Sequence, residues 1–284
     1  MAEDLQNWIG RRHEVEDVIT LWPVQALQST LDLPGPAPID GDVLPPLWHW
    51  LFFLPTVAHS DLGPDGHAKL GGFLPPVGLP RRMFAGGRFE FHRPLHIGER
   101  ARRVGTVVSI EEKQGRTGRL VFVVARYEVS GAAGLSIVEE QDLVYREASH
   151  GRHDPAPGSE PIPDGAWTRT VIPDPVMLFR FSALTFNGHR IHYDQPYVTE
   201  VEGYPGIVVH GPMTALLLAD LAHRNGPGPL DSFSFRARSP LFTDGPFALR
   251  GELTVGHRAE LSVWSHDLRL AVTADAEFAR VGSG

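Results

Sequence analysis

The segment 186–194 reads Phe-Asn-Gly-His-Arg-Ile-His-Tyr-Asp and brings residue types that move and hold protons close together. A neutral imidazole takes a proton from water and returns it, so His192 is a candidate general acid–base. An amide does not exchange protons usefully, and Asn187 is expected to position a water or a carbonyl group. His189 is a further candidate for polar contact with a substrate. The segment therefore predicts a site of proton transfer.

A second segment, Gly-Ile-Val-Val-His-Gly-Pro at 206–212, precedes an apolar run that is typical of a buried helix. Pro212 suits a first helical turn, where backbone N–H groups have no partner within the helix. Glycine at 211 lets a ligand approach the backbone, and the Gly211 N–H is then placed to stabilise a thioester oxygen as it becomes an enolate. The neighbouring His210 is a candidate substrate contact. Together the segments favour chemistry on a carbonyl whose oxygen gains negative charge.

Other interpretations of these residues remain open at this point. The cluster at 186–194 could be a hydrogen-bonded turn that locks the helix, and Gly211 could merely begin that helix. A metal site is a further alternative, because His189, His192, Asp194 and His210 are acceptable zinc or iron ligands. Their spacing matches no recognised metal signature, and no metal is expected.

Composition excludes several classes of function. The 284 residues include no cysteine, which rules out thiol catalysis and disulfides, and the net charge of −8 argues against a general nucleic-acid binder. No run of apolar residues is long enough to span a bilayer, so no membrane partner is expected. The acidic N-terminus lacks a signal-peptide pattern. A cytoplasmic protein is the expectation.

Two parts of the chain share a similar sequence pattern. A strand-like Phe-x-Phe, a basic cluster, Pro-Leu and a turn pairing glycine with an acid occur at 89–100 and again at 233–245, and alternating apolar patterns follow both. A stretch rich in Pro, Gly and Asp separates the halves and reads as a linker. The predicted division is 1–148 for the first α+β unit, 149–165 for the linker and 166–284 for the second unit.

Two helices are expected, at 24–31 and 213–221. The second is apolar nearly all the way round, so it must be surrounded by protein, and a strongly curved antiparallel sheet wrapped around it meets that need. The Pro/Gly-rich piece 71–80 is interpreted as a long surface loop, with a flap over a ligand site as the alternative.

At these residues the chain resembles the MaoC-like double hot-dog hydratase/dehydratase superfamily. The resemblance is strongest to its branch of type 2 hydroxyacyl-thioester dehydratases and mesaconyl- or itaconyl-CoA hydratases. It rests on 186–194, on Val-His-Gly-Pro at 209–212, and on the Pro-Pro and Arg-Arg-Met-Phe-Ala-Gly-Gly passage at 75–87. It implies an α+β double hot-dog in which each curved sheet wraps a central helix, with a degenerate first half that helps to bind acyl-CoA and a catalytic second half.

The resemblance implies reversible hydration of an enoyl-CoA, or dehydration of a 3-hydroxyacyl-CoA, with mesaconyl- or itaconyl-CoA as candidate substrates. No separate cofactor is expected, since the substrate carries coenzyme A. His192 would transfer the proton, Asn187 would hold the water and Gly211 would polarise the thioester. The wider superfamily has an aspartate where this chain has Asn187, which puts a two-residue Asp/His mechanism in doubt.

Three arginines are further candidates for contact with the substrate. Arg236 and Arg238 are candidates for binding the CoA phosphates, and Arg190 either pairs with a substrate carboxylate or is an exterior charge. The alternative functions are a 3-hydroxyacyl-ACP dehydratase, which the negative net charge disfavours, a hot-dog thioesterase and a non-catalytic acyl-thioester-binding protein. The chain is expected to act as a monomeric double hot-dog or as a homodimer.

Overall fold

A computed structural model describes residues 4–115, 118–147, 155–159 and 161–280. Seven of the 17 residues of the predicted linker 149–165 lie outside these residues, and the boundaries assigned to it stay predictions. Within the described ranges, none of the helices has the length and apolar character needed to cross a bilayer.

Ten antiparallel strands form one continuous sheet, in which alternating side chains separate a buried face from a more exposed one. The first half contributes β1 (Arg12–Val18), β2 (Arg81–Phe91), β3 (Arg100–Gly115), β4 (Gly118–Gly131) and β5 (Gly134–Arg146). The second half contributes β6 (Trp167–Val171), β7 (Leu230–Ala237), β8 (Phe247–Leu253), β9 (Arg258–Ser265) and β10 (Leu270–Phe278). Their order across the sheet is β1-β3-β4-β5-β2-β7-β10-β9-β8-β6.

The two halves are related by a pseudo-twofold axis through the centre of the sheet. Each half has the same internal order of strands, and the halves join where β2 pairs with β7. In that pairing Phe89 lies opposite Phe233, its own counterpart in the repeated Phe-x-Phe. Such self-pairing is expected only on a twofold axis, so the sequence repeat corresponds to a structural repeat. The predicted α+β double hot-dog is confirmed.

Three α-helices accompany the sheet. Helix α1 (Leu21–Thr30) follows β1, and α2 (Pro175–Leu184) follows β6 at the corresponding place in the second half; the two helices pack on one another. Helix α3 (Gly211–Asn225) is the buried apolar helix and packs against β6 to β10. Its one buried carboxylate, Asp220, is paired with Arg224 one turn later.

The halves differ in what covers their concave faces. The second half wraps α3, whereas between α1 and β2 the described residues form only short 3-10 turns, Trp48–Leu51 and His59–Asp61. The expectation that each sheet wraps a central helix therefore holds for the second half alone. Space that a helix would fill in the first half is left for a cavity, and residues 72–74 of the Pro/Gly-rich loop line it.

Candidate active site

A cavity of about 1910 Å³ lies between the two halves and is lined by both. Of the residues that the sequence singled out, it is lined by Asn187, His189, His192, Gly211 and Arg238. The two motifs that are about 20 residues apart in the chain thus meet at one site. Residues from β2 and from the loop 55–74 form the opposite wall.

His192 ends a 3-10 turn that begins at Arg190, and only 6% of its surface is exposed. Its Nδ1 donates a hydrogen bond of 2.7 Å to the carbonyl of Val208, just ahead of α3. This bond fixes the tautomer in which Nε2 is unprotonated and able to accept a proton. His192 therefore presents a base to the cavity.

The ring of His210 packs against the face of the His192 ring. The two rings are stacked, with centroids 3.6 Å apart and planes inclined by 17°, and His210 has no exposed surface. Its Nε2 lies 2.8 Å from Oγ of Ser182 on α2. Because His210 does not line the cavity, the prediction that it contacts the substrate is not supported; it fixes the position of the His192 ring.

Asn187 lies in a tight turn after α2. Phe186 before it has a φ of +47°, a left-handed conformation that costs energy in a non-glycine residue and often occurs at functional sites. Oδ1 of Asn187 accepts the backbone N–H of His189 at 3.0 Å, which closes the turn and leaves the amide nitrogen as a donor. The residue is thus both a turn former and a donor at the cavity wall.

Gly211 begins α3 at the cavity wall. The residue before the helix, His210, makes no side-chain capping bond, so the first turn keeps unpaired N–H groups, as expected at a helix N-terminus. A β-carbon built on Gly211 would meet no atom within 4 Å. Open space in front of an uncapped helix N-terminus suits a group that carries or gains negative charge.

The first half contributes an aspartate–histidine pair that the sequence alone did not reveal. Oδ2 of Asp65 lies 2.8 Å from Nδ1 of His67, and the His67 ring lies 4.0 Å from that of His189. As in His192, a bond at Nδ1 leaves Nε2 unprotonated in the neutral ring. Asp65 and His67 sit in the loop 55–74, far from any catalytic pattern in the sequence.

Close backbone packing holds that loop against the turn that carries Asn187 and His189, which we term the catalytic turn for the role proposed below. Gly66 has a φ of +87°, and a β-carbon on it would lie 1.9 Å from the carbonyl oxygen of Gly188. The backbone N–H of Arg190 donates to the carbonyl of Asp65 at 2.9 Å, and its guanidinium donates to the carbonyl of Pro64 at 3.0 Å. These contacts join the first half of the chain to the second half beside His67 and His189.

Four histidines form what we term the imidazole cluster: His67, His189, His192 and His210. Burial lowers the pKa of His192 to about 4 against the opposing Val208 carbonyl. Burial and the neighbouring imidazoles lower the pKa of His189 to about 2.

The pKa values of His67, His210 and the partner carboxylate Asp65 are also shifted by their surroundings. Burial also lowers the pKa of His67, despite its bond to Asp65, and of His210. Burial acts to raise the pKa of Asp65, but the hydrogen bond and charge of His67 hold it below its ordinary range. At neutral pH the imidazole cluster is uncharged and lies beside an ionised carboxylate.

Asp65, His67 and His189 offer one ligand atom each within 4.8 Å of one another, which is compatible in residue type with a divalent cation. This set differs from the predicted alternative, because Asp194 is bound to Arg190 and caps Tyr197 instead. The Nδ1 of His67 is already bonded to Asp65. The positive charge of Arg82 also acts on His67 and His189, lowering the pKa of each.

Two predicted substrate contacts are not brought to the cavity. Arg190 is bound to Asp194 at 2.7 Å and lies over the Tyr197 ring, so its guanidinium anchors the loop and does not meet a substrate carboxylate. Arg236 lies on the exposed face of β7, because its neighbour Phe235 points into the core. Arg238, just after that strand, is exposed and lines the cavity.

Comparison with known proteins identifies a family and similar folds. Residues 47–243 match the family described as hydroxyacyl-thioester dehydratase type 2, a span that includes Asp65, His67 and His192. HtdX from Mycobacterium tuberculosis has a similar fold, with a TM-score of 0.67 at 18% identity over 95% of this chain and 100% of that one. Another protein of that organism, described as having a double hot-dog fold, has a TM-score of 0.54 at 14% identity, covering 95% of this chain and 96% of its own.

Two relatives align with most of the chain. Mesaconyl-C(4)-CoA hydratase of Chloroflexus aurantiacus is 49% identical over 276 residues, which cover 97% of this chain and 98% of the relative. The mitochondrial hydroxyacyl-thioester dehydratase type 2 of Schizosaccharomyces pombe is 27% identical, covering 83% of this chain and 88% of its own. The family match over residues 47–243 and the 49% identity over nearly the whole chain show that the chain belongs to the type 2 hydroxyacyl-thioester dehydratase family and is an acyl-CoA hydro-lyase.

Proposed function

We propose that this enzyme hydrates the double bond of a short, branched dicarboxylic enoyl-CoA of the mesaconyl-C4-CoA type, with His192 as the proton-transfer group. The observation that carries the proposal is the unprotonated Nε2 of His192, fixed by the Val208 carbonyl beside the open N-terminus of α3. The 49% identity to a mesaconyl-C(4)-CoA hydratase supports the choice of substrate.

The reaction balances as the addition of one water. Nε2 of His192 takes a proton from water while the hydroxyl oxygen forms its bond to the β-carbon of the thioester. Electrons move onto the carbonyl oxygen, where the Gly211 N–H stabilises the enolate. A protonated imidazole then returns the proton to the α-carbon. Asn187 donates to the water or the carbonyl and holds them in line.

His67 is proposed as a second proton-transfer group, supplied by the first half. The wider superfamily has a carboxylate at the position of Asn187, and an amide cannot replace its basicity. The Asp65–His67 pair offers a carboxylate and an oriented imidazole on the far side of His189. One chain would thereby supply a complete site, which supports a monomer as the functional unit.

Coenzyme A would enter where the cavity meets the surface. Arg238 is exposed and lines the cavity, and Arg11 and Arg12 do the same on the other half. Guanidinium groups there suit the phosphates of the nucleotide. This exposed group of arginines replaces the predicted Arg236 in that role.

A single assay with two readouts tests the proposed function. Mesaconyl-C4-CoA is followed by loss of the absorbance of its conjugated thioester, and released thiol is measured in the same sample. We expect absorbance to fall with no thiol, and the product to be the β-hydroxy thioester by mass spectrometry. Thiol release in step with the absorbance change would indicate a thioesterase and refute the proposal. Binding without either change would indicate a non-catalytic protein.

A further inference from the structure

We propose that Arg82 binds a free carboxylate attached to the β-carbon of the substrate, and so selects dicarboxylic over simple acyl thioesters. This inference rests on the proposed function, since it assigns the residue that recognises the second carboxylate. It replaces the role that the sequence suggested for Arg190.

Arg82 lies on β2 and reaches the cavity from the first half. Two residues along the strand, Phe84 shares its face and packs edge-on against Phe235 in the core, with ring centroids 5.4 Å apart. The side chain of Arg82 is therefore directed to the concave side of the sheet, where the ligand must lie. It is half-buried, in contrast to the arginines at the mouth of the cavity.

Nearby arginines of the same strand have carboxylate partners, but no such partner for Arg82 is found among the described residues. Arg81 pairs with Glu202 at 3.1 Å, and Arg88 pairs with Asp142 at 2.7 Å. Burial raises the pKa of the Tyr145 hydroxyl overall, although the Arg82 guanidinium is close enough to lower it by charge and hydrogen bonding. A neutral hydroxyl does not balance the charge of a half-buried guanidinium, and a charge buried without a counter-charge is costly for the folded protein. Binding a carboxylate would satisfy it through two parallel hydrogen bonds.

The whole cavity carries an excess of positive charge although the chain is acidic. Among the described residues that line it are seven arginines and one lysine against three carboxylates. Two of those carboxylates are engaged, Asp65 with His67 and Glu202 with Arg81.

The exposed arginines suit phosphates at the mouth. Of the other half-buried arginines of the lining, Arg103 donates to the carbonyl of Phe53 and Arg146 to the hydroxyl of Tyr204. Arg82 is therefore the interior arginine that we assign to a different anion.

Substrate chemistry explains why this anion must lie beside the imidazole cluster. In mesaconyl-C4-CoA the free carboxylate and the methyl group are both attached to the β-carbon, which is also the carbon that receives the hydroxyl group. A residue that binds the carboxylate must then stand next to the proton-transfer histidines. Arg82 lines the same cavity as His67 and His189. Burial is the main cause of the lowered pKa of each histidine, and the charge of Arg82 adds to it.

The test compares two saturated thioesters that differ in one group. The first is methylsuccinyl-CoA with its free carboxylate on the β-carbon, and the second is isovaleryl-CoA, which has a methyl group in that place. Each is titrated calorimetrically into the wild-type protein, Arg82→Met and Arg236→Met. Arg236 is the matched control because it is exposed and lies outside the cavity. Circular dichroism checks that each variant is folded.

We expect wild type and Arg236→Met to bind the carboxylated thioester more tightly by roughly 10- to 150-fold, the range of a charged hydrogen bond. Arg82→Met should lose this preference and keep its affinity for isovaleryl-CoA within about 3-fold. An equal loss for both thioesters would place Arg82 against coenzyme A and overturn the inference, as would an unchanged preference. Turnover of mesaconyl-C4-CoA by the wild type, measured separately, decides the proposed function whatever the outcome here.

Discussion

Replacing Gly66 by alanine should disable the site without touching any group that reacts. A β-carbon on Gly66 would lie 1.9 Å from the carbonyl oxygen of Gly188, whereas ordinary contacts begin near 3.4 Å. The loop that carries Asp65 and His67 must then move from the catalytic turn by about 1.5 Å. A misplacement of about 1 Å in a catalytic arrangement can cost about 100-fold in rate. We expect kcat/KM for the enoyl thioester to fall by about that factor.

Gly41→Ala is the matched control for the strain of the glycine conformation. Gly41 has a φ of +90°, close to the +87° of Gly66, but a β-carbon there would meet no atom within 4 Å. Both variants should lose about 1 kcal/mol of unfolding free energy from backbone strain. Only Gly66→Ala should lose activity. Wild-type kcat/KM in a folded Gly66→Ala would refute the reasoning that catalysis requires the loop of the first half to be docked closely on the turn of the second half.

Two further predictions concern stability. Histidines titrate near pH 6.5 when unfolded, whereas the lowered pKa values of the imidazole cluster keep it neutral when folded. The contribution of these histidines to the free energy of unfolding should be fully present above pH 6.5. It should fall toward pH 4 by up to roughly 1.4 kcal/mol per pH unit and per histidine. A free energy of unfolding in urea that is unchanged between pH 8 and 5 would contradict this. Separately, Glu139 is buried and accepts bonds of 2.8 Å from both His49 and Trp50, so Glu139→Ala should cost about 3 kcal/mol. Its neighbour Glu140 pairs with Arg88 near the surface, and Glu140→Ala should cost less than about 1 kcal/mol in the same urea assay.

The fold was predictable where one local pattern dominates. The repeated Phe-x-Phe at Phe89 and Phe233 marked the strands that meet on the axis, and the apolar run after Pro212 marked α3. Strand β6 and helix α2 were missed, because a five-residue strand and a ten-residue helix with phenylalanine on its exposed side give weak periodicity. Their assignment depends on tertiary packing.

The site was predictable only in its second half. Asn187, His192 and Gly211 belong to contiguous motifs, and all three line the cavity. Asp65 and His67 come from an irregular loop more than 100 residues earlier, and only the docking of Gly66 on the catalytic turn brings them there. The Asp-x-His spacing of Asp65 and His67, in a loop too long to be a simple connection, was the one available signal. The errors at Arg190 and Arg236 have the same origin, since sequence shows a charge but not its partner.

The central claim is that Nε2 of His192 moves the proton that hydration requires. Hydration of mesaconyl-C4-CoA by His192→Gln, compared with the exposed-residue control His257→Gln, tests it most directly. Loss of a general acid–base should reduce kcat by about 100- to 10,000-fold in His192→Gln, while the control stays at the wild-type value. A folded His192→Gln that turns over at the wild-type rate would contradict the account.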